Sequence, residues 1–409
     1  MRISLTDRGG GKLLACLLLG TFTLAGCKDA GPLGPGGSLS ADGGSLSENA
    51  ALNNDRAGSP ALGVLTWNIY VGADLSELLE LDDPSDIEIA LKVTELFGDV
   101  LATDFPTRAK AIADQVAAFN PHVIGLNEVT TFDFASTSGV ELDYLAILMA
   151  ELAARGLDYV LPVDGADEAR SLNFQVPLPI ITATGLDQVT LTDYDVILLR
   201  GDIAATASDP TSATFGQPLP IPIRDDLVII KPSGWASVDI MVKGLPYRVF
   251  STHLEPADTG PCQTDNIPLL GVHNAQAGEL MGIVAGSPIP VVLTGDLNTD
   301  ASGCTTPTYG LLRDMGFVDA WTIGSPRGLG FTSNQDSDLL NAASTLFHRI
   351  DFVLYRDEFT TAMGQFQGSS HAELVGEDVA DKTSTGLWPS DHAGVMAELR
   401  IAPGHGHAE

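Results

Sequence analysis

Between residues 62 and 402 the chain alternates short apolar runs with Gly, Pro and Asp. GVLTWNIYV (63–71), HVIGLNE (122–128), YDVILLR (194–200), DLVIIK (226–231), ASVDIMVKG (236–244), YRVFSTHL (247–254), PVVLTGDL (290–297), RIDFVLYR (349–356) and GVMAELRI (394–401) have strand length and β-branched enrichment. KGLP (243–246) reads as a hairpin turn between two of them. Helical periodicity fills Ile87–Leu101, Thr107–Phe119, Asp143–Arg155, Asn274–Val284 and Thr308–Met315. Strands outnumber helices, several connect as hairpins, and both ends of the region supply strands. The pattern predicts an α+β fold, two sheets face to face with helices outside.

The N-terminal stretch follows a different rule. Arg2, Arg8 and Lys12 precede an apolar run, Leu13 to Leu24, that is too short to span a bilayer, and LAGC ends at Cys27. This is the layout of a secretory signal over residues 1–26. LAGC resembles the lipobox of bacterial lipoproteins, which implies cleavage before Cys27 and a lipid on its thiol, an anchor and not a span. An ordinary cleaved signal is the alternative. Lys28 stands where inner-membrane lipoproteins carry Asp, so the family rule slightly prefers the outer membrane. Residues 27–61 are mostly small and polar and read as a flexible tether. Residues 62–402 form one domain without repeats, and 403–409, with His405 and His407, a frayed tail.

Charge and cysteines narrow the context. The formal net charge is −32, and losing residues 1–26 removes three basic residues and one acid, giving −34. Such a surface is poorly suited to gripping nucleic acid or anionic lipid without a focused basic groove. Cys16 lies in the signal and Cys27 at the anchor, which leaves Cys262 and Cys304 as a disulfide pair after export. Two buried free thiols are the alternative.

Most strands end in a residue of catalytic type. Asn68 closes the first, Glu128 follows the second, His253 lies in STHLE, Asp296 and Asn298 in TGDLNTD, Asp351 in HRID, and Asp391 and His392 in PSDH. Each alone reads as a turn residue; six such endings together point to a site built where strands meet loops. Asn68, Glu128, Asp296, Asn298 and Asp391 are hard oxygen donors, suited to Mg²⁺, with Mn²⁺ or Ca²⁺ as alternatives. His253 and His392 can do acid–base work. The sequence has no G-x-S-x-G elbow, P-loop or H-E-x-x-H. Metal, His and Asn/Asp without a dedicated nucleophile fit attack by water on a phosphoester.

In order, LTWNIY, IGLNEV, STHLE, VVLTGDLNTD, HRIDFVLYR and PSDHAGV resemble the successive motifs of the endonuclease/exonuclease/phosphatase superfamily. That superfamily includes deoxyribonuclease I, abasic-site endonucleases, inositol polyphosphate 5-phosphatases and bacterial sphingomyelinases. The resemblance runs from about residue 62 to 400 and implies a four-layer α/β/β/α sandwich. It makes Glu128 the main metal ligand with Asn68 beside it, and Asp391 a further part of the metal shell. It implies that Asp296 orients the attacking water and can share the metal, and that Asn298 holds a phosphate oxygen. His392, oriented by Asp351, contacts the phosphate in its protonated form or acts as general base, and His253 corresponds to a histidine that in some members protonates the leaving oxygen.

The chain also departs from that pattern. DYDVILLRGD (193–202) carries Asp195 where a small residue is usual, which leaves the carboxylate partner of His253 open, with Asp193 the candidate. Insertions at 72–104 and 202–222 are long, and the second has no Lys or Arg. Arg224 directly after it is either a phosphate contact or a surface ion pair. Three readings of the substrate remain. The first is a lipid-linked or small phosphoester, as in a sphingomyelinase-like phospholipase C; the second is nucleic acid, disfavoured by charge. The third is a surface binding protein without catalysis. A monomer is expected.

Overall fold

The structure, a computed structural model, describes residues 61–137, 139–242, 244–257, 267–324, 328–356 and 366–401. The expected signal, Cys27, Cys262 and the tail lie outside them. In chain order the longer strands are β1 (Ala61–Asn68), β2 (Val123–Phe134), β3 (Arg170–Thr182), β4 (Gly185–Arg200), β5 (Ser208–Thr214), β6 (Leu219–Arg224) and β7 (Leu227–Lys231). They continue with β8 (Gly234–Val242), β9 (Leu245–Thr252), β10 (Val291–Asp296), β11 (Asp351–Arg356), β12 (Phe366–Val375) and β13 (Gly394–Ile401). The longer helices are α1 (Asp86–Ala102), α2 (Phe105–Phe119), α3 (Tyr144–Ala154), α4 (Ile267–Ala285) and α5 (Thr308–Asp314). No helix among the described residues is long and apolar enough to cross a membrane.

Two mixed sheets form. One runs β12-β13-β1-β2-β4, with β3 on β4; the other runs β11-β10-β9-β8-β5. β1 pairs parallel with β2 and antiparallel with β13, which joins the first and last strands of the described chain at the sheet centre. Strand alternation sends side chains to two faces. Val64, Val123 and Ile197 face Val238, Val249, Val292 and Val353 of the other sheet and form the inner core. Leu65, Trp67 and Leu126 face outward onto Val93 and Leu96 of α1 and Ile112 and Val116 of α2. On the far side, Phe250, Leu293 and Leu354 pack against Leu280 and Val284 of α4 and Leu312 of α5. The order helix, sheet, sheet, helix is the expected four-layer sandwich.

The helices start where local chemistry directs. Ser85 and Glu88 close a capping box on α1. Asp104 caps α2 through the Thr107 N–H, and Asn120 ends it in the left-handed conformation at φ 47°. The segment 202–222, expected as an insertion, instead contributes β5 and β6. Its Pro220 and Pro222 lie in the isolated β6–β7 hairpin, where a missing N–H costs little. β3 and β12 were likewise not among the expected strands.

Near one rim the two sheets come very close. A Cβ on Gly125 of β2 would collide with Thr294 Oγ1 of β10, a hydroxyl that donates to Phe250 O at 2.8 Å. Gly125→Ala should therefore lower stability by about 1–3 kcal/mol through overpacking. Gly98→Ala, in open space on exposed α1, should raise it by about 0.5–1 kcal/mol. Thermal melts of the two variants check this pair.

A second prediction concerns pH. His122 Nδ1 accepts the Gly63 N–H at 2.9 Å, which requires a neutral ring, and burial pushes its pKa down to about 4. The folded value lies below the unfolded one, so this contribution is complete above about pH 6.5 and is lost toward pH 4. Protonation should cost about 2 kcal/mol after allowance for partial exposure. His122→Asn, which keeps an acceptor and cannot titrate, should lose less Tm over that range than the unmodified protein.

Candidate active site

The sequence-predicted metal-binding and catalytic residues lie at one rim. Asn68 ends β1, and Asp296 ends β10 directly opposite Asp351, the first residue of β11. His253 follows β9, and Asp391 and His392 precede β13. Glu128 sits in a bulge where the β2–β4 register slips between Leu126 and Val129. A bulge re-aims a side chain, and Glu128 takes φ 57° to do so. Tyr70 (φ 63°) and Asn298 (φ 47°) are also left-handed here, a costly backbone state that local bonds must hold. Gly295 has φ 140°, and a Cβ there would strike Thr252 O.

The carboxylates are tied together by amides. Asn68 Nδ2 donates to Glu128 Oε1 at 2.8 Å and to Asp296 Oδ2 at 3.3 Å, and the Val71 N–H donates to Glu128 Oε2 at 2.8 Å. Asn68 was expected to ligate metal. Its oxygen accepts the Tyr70 N–H at 3.1 Å, and its amide nitrogen spaces the two carboxylates. Asn298 was expected on phosphate. Its backbone N–H caps Asp296 Oδ1 at 2.9 Å and its side chain donates to Leu254 O at 2.8 Å, anchoring the loop after His253.

His392 Nδ1 lies 2.9 Å from Asp351 Oδ2 and 3.9 Å from Asp296 Oδ2. Burial opposes protonation of His392, but Asp351, Asp391 and Asp296 outweigh it and hold the imidazole well above its usual range. Asp351 therefore steadies His392, as expected. Asp391 Oδ1 lies 3.3 Å from Ser390 Oγ, and burial and Glu128 push its carboxyl up. Burial and Asp351 do the same to Asp296. His253 Nε2 lies 3.5 Å from Asp296 Oδ2; burial and Lys231 push it down to about 3, so the ring is neutral. Asp193 is not its partner: it accepts from Thr130 Oγ1 at 3.1 Å and is pushed up to about 7 by burial and Glu128.

Three residues that sequence reasoning missed hold the site. Asn127 of β2 donates to Asp195 Oδ1 at 2.6 Å and to Thr252 O at 3.2 Å, and its oxygen accepts the Asp296 N–H at 2.9 Å. It thus bonds both sheets. Asp195, the departure noted in the sequence, is buried, with Oδ2 lacking a partner, and burial lifts it well above the usual carboxylate range. Arg108 of α2 is fully buried and donates to Ile69 O (2.7 Å), Tyr70 O (3.1 Å), Thr103 O (2.8 Å) and Pro389 O (3.0 Å). It fastens the loop after Asn68 to the loop before Asp391. Ser390 Oγ, donating to Asn68 O at 2.7 Å, and Trp67 Nε1, donating to His392 O at 2.9 Å, add to that seam. Lys231, the third, pairs at 2.9 Å with buried Glu255, two residues after His253. Arg224, by contrast, pairs with Asp86 at 2.6 Å and Asp226 at 2.7 Å, a surface ion pair.

The donor set fits a hard divalent cation. Asn68 Nδ2 bridges Glu128 and Asp296, and repulsion from Asp351 raises Asp296 while repulsion from Glu128 raises Asp391. Asp351 Oδ1 is buried without a partner. Asp296, Asp351 and His392 also place ligand atoms within 4.8 Å of one another, but His392 Nδ1 is already bonded to Asp351.

Residues 65–392 match the model of the Endonuclease/Exonuclease/phosphatase family. No curated protein matches the chain. Among solved structures, an endonuclease/exonuclease/phosphatase from Beutenbergia cavernae is 20% identical, aligning 84% of this chain and 72% of that one at a TM-score of 0.49. A truncated TDP2 from Caenorhabditis elegans is 17% identical over 83% and 97% of the two chains, at 0.46. A family protein from Leptotrichia buccalis is 16% identical over 84% and 100%, also at 0.46.

The Arg108 seam is testable. Arg108→Met leaves buried carbonyls unpaired and should cost about 2–4 kcal/mol of stability. Turnover of an aryl phosphate ester, measured well below the variant's Tm, should fall at least about tenfold because both loops lose their tie. Wild-type Tm and wild-type turnover together would contradict the role.

Proposed function

The chain belongs to the endonuclease/exonuclease/phosphatase family, and from that premise we propose that it is a divalent-metal-dependent phosphoesterase that hydrolyses its substrate by attack of water on phosphorus. The observation that carries this reading is the Asp351–His392 pair set opposite Asp296, with Glu128 aimed at the same rim by its bulge. Glu128, Asp296 and Asp391 would hold Mg²⁺, with Mn²⁺ or Ca²⁺ as alternatives. Bound there, the cation would neutralise phosphate charge.

The protein groups do the rest. Asp296, spaced by Asn68 and the Asn298 N–H, takes a hydrogen bond from the attacking water and orients it. His392, cationic and aligned by Asp351, donates to a non-bridging phosphate oxygen as charge builds there. His253 lines the same pocket as a neutral ring. The water oxygen bonds to phosphorus, one ester P–O bond breaks, and the leaving oxygen departs with a proton.

A small or lipid-linked phosphoester is the preferred substrate over nucleic acid, because a chain of net charge −32 repels a polyanion. We further propose export, a lipid anchor on Cys27 that holds a monomer at a bacterial membrane facing periplasm or exterior, and a Cys262–Cys304 disulfide. The outer membrane is the preferred address.

A side-by-side assay on bis-p-nitrophenyl phosphate, sphingomyelin and plasmid DNA tests the reading. Hydrolysis of the small ester or the lipid should require divalent metal and stop with EDTA. Glu128→Gln and His392→Ala should each lower kcat/KM by about three orders of magnitude or more without unfolding the protein. Near-wild-type rates in either variant overturn the mechanism, and DNA nicking at physiological salt overturns the substrate preference.

A further inference from the structure

Two permanent cations bear on Glu128: Arg108 and Lys231. Arg108 is fully buried and spends its guanidinium on backbone carbonyls, so it cannot meet a ligand. Lys231 is placed differently. It ends β7 and its side chain is 23% exposed, while its partner Glu255 is 1% exposed. Lys231 Nζ lies 2.9 Å from Glu255 Oε2.

Glu255 is itself immobilised. Its other oxygen accepts from Ser233 Oγ, its N–H donates to Gln276 Oε1 at 3.0 Å, and its carbonyl meets His273 Nδ1 at 2.8 Å. The ammonium is thus held in one place by a rigid carboxylate two residues from His253. The 2.9 Å pair with Glu255, which follows His253 by two residues, puts the ammonium on the His253 side of the rim. A purely structural ion pair needs no opening to solvent. Lys231 has one, and of its three ammonium hydrogens one is committed to Glu255.

We propose that Lys231 contacts a non-bridging phosphate oxygen of the substrate and sets the enzyme's preference for the charge of the phosphoester, favouring a dianionic monoester group over a monoanionic diester. This rests on the phosphoesterase reading. A fixed cation at close range attracts a dianion more strongly than a monoanion. His392 serves transition-state charge from the opposite side, whereas Lys231 serves ground-state recognition, so its loss should appear mainly in KM.

The test compares wild type, Lys231→Met, Lys231→Gln and Lys231→Arg in the full chain with Mg²⁺. The substrates are p-nitrophenyl phosphate and bis-p-nitrophenyl phosphate at about pH 8, where the monoester is dianionic. Lys231→Gln can keep a hydrogen bond to Glu255 and serves if Lys231→Met folds poorly. Loss of the charge should raise KM for the monoester by about tenfold and for the diester by no more than about threefold, with kcat changing less and Lys231→Arg restoring most of the preference. Equal factors for the two esters, or no change in either, overturn the proposal. If wild type hydrolyses neither ester, the phosphoesterase reading fails by itself. The Lys231 contact is then decided by the rise in Tm that inorganic phosphate gives the wild type: loss of that rise in Lys231→Gln upholds it, and an undiminished rise overturns it.

Discussion

One side chain ties the two sheets together where the chemistry sits. Asn127 leaves β2 and bonds the Asp296 N–H and the Thr252 carbonyl of the facing sheet, while Asp195 holds it from below. A buried amide commits this way only when every partner is in place, because an unmatched polar group inside a protein is costly. Gly125 supplies the other half of the constraint by letting the sheets approach. Residues carried by strands far apart in sequence consequently meet at one rim, where the sheet-to-sheet packing and the tied loops before Asp391 and after Asn68 set their separation.

That geometry forces like charges together. Glu128 and Asp391, half-buried, and Asp296 and Asp351, buried, gather at one rim, and their repulsion is relieved in three ways. Amide donors from Asn68 and backbone N–H groups stabilise particular oxygens. His392 places a cation against Asp351. The remaining excess suits a divalent ion, since burial of unpaired carboxylates is otherwise opposed by desolvation. The same crowding explains why Arg108 and Lys231 lie close by without neutralising the centre. One is consumed by carbonyls, and the other is anchored at the edge by Glu255.

Much of this was legible in the sequence, and the illegible parts share a cause. The short, β-branched apolar runs GVLTWN, VVLTGD and GVMAEL marked the central strands because both their faces are buried, and TGDLN and SDH marked the rim because polar residues seldom gather at so many strand ends. β3 was missed because Pro177 and Pro179 disguise an edge-lying strand, and the 202–222 segment for a similar reason. The bonds of Asn68 to the Tyr70 N–H and of Asn298 to the Leu254 carbonyl were not legible, because residue type does not say which way an amide points. Asn127 lies 169 residues from Asp296, and Arg108 looks like any surface arginine on an amphipathic helix until Pro389 closes on it. Contacts made only in the folded chain leave no local signal.

The central claim is that the rim works as one unit because Asn127 joins the sheets beneath it. The most direct measurement is kcat/KM of Asn127→Ala on bis-p-nitrophenyl phosphate at saturating Mg²⁺, taken beside its Tm and far-UV circular dichroism. The account predicts a folded protein whose kcat/KM falls by about a hundredfold or more, because Asp296 loses the bond that fixes its backbone. A folded Asn127→Ala protein that turns over at the wild-type rate would contradict it.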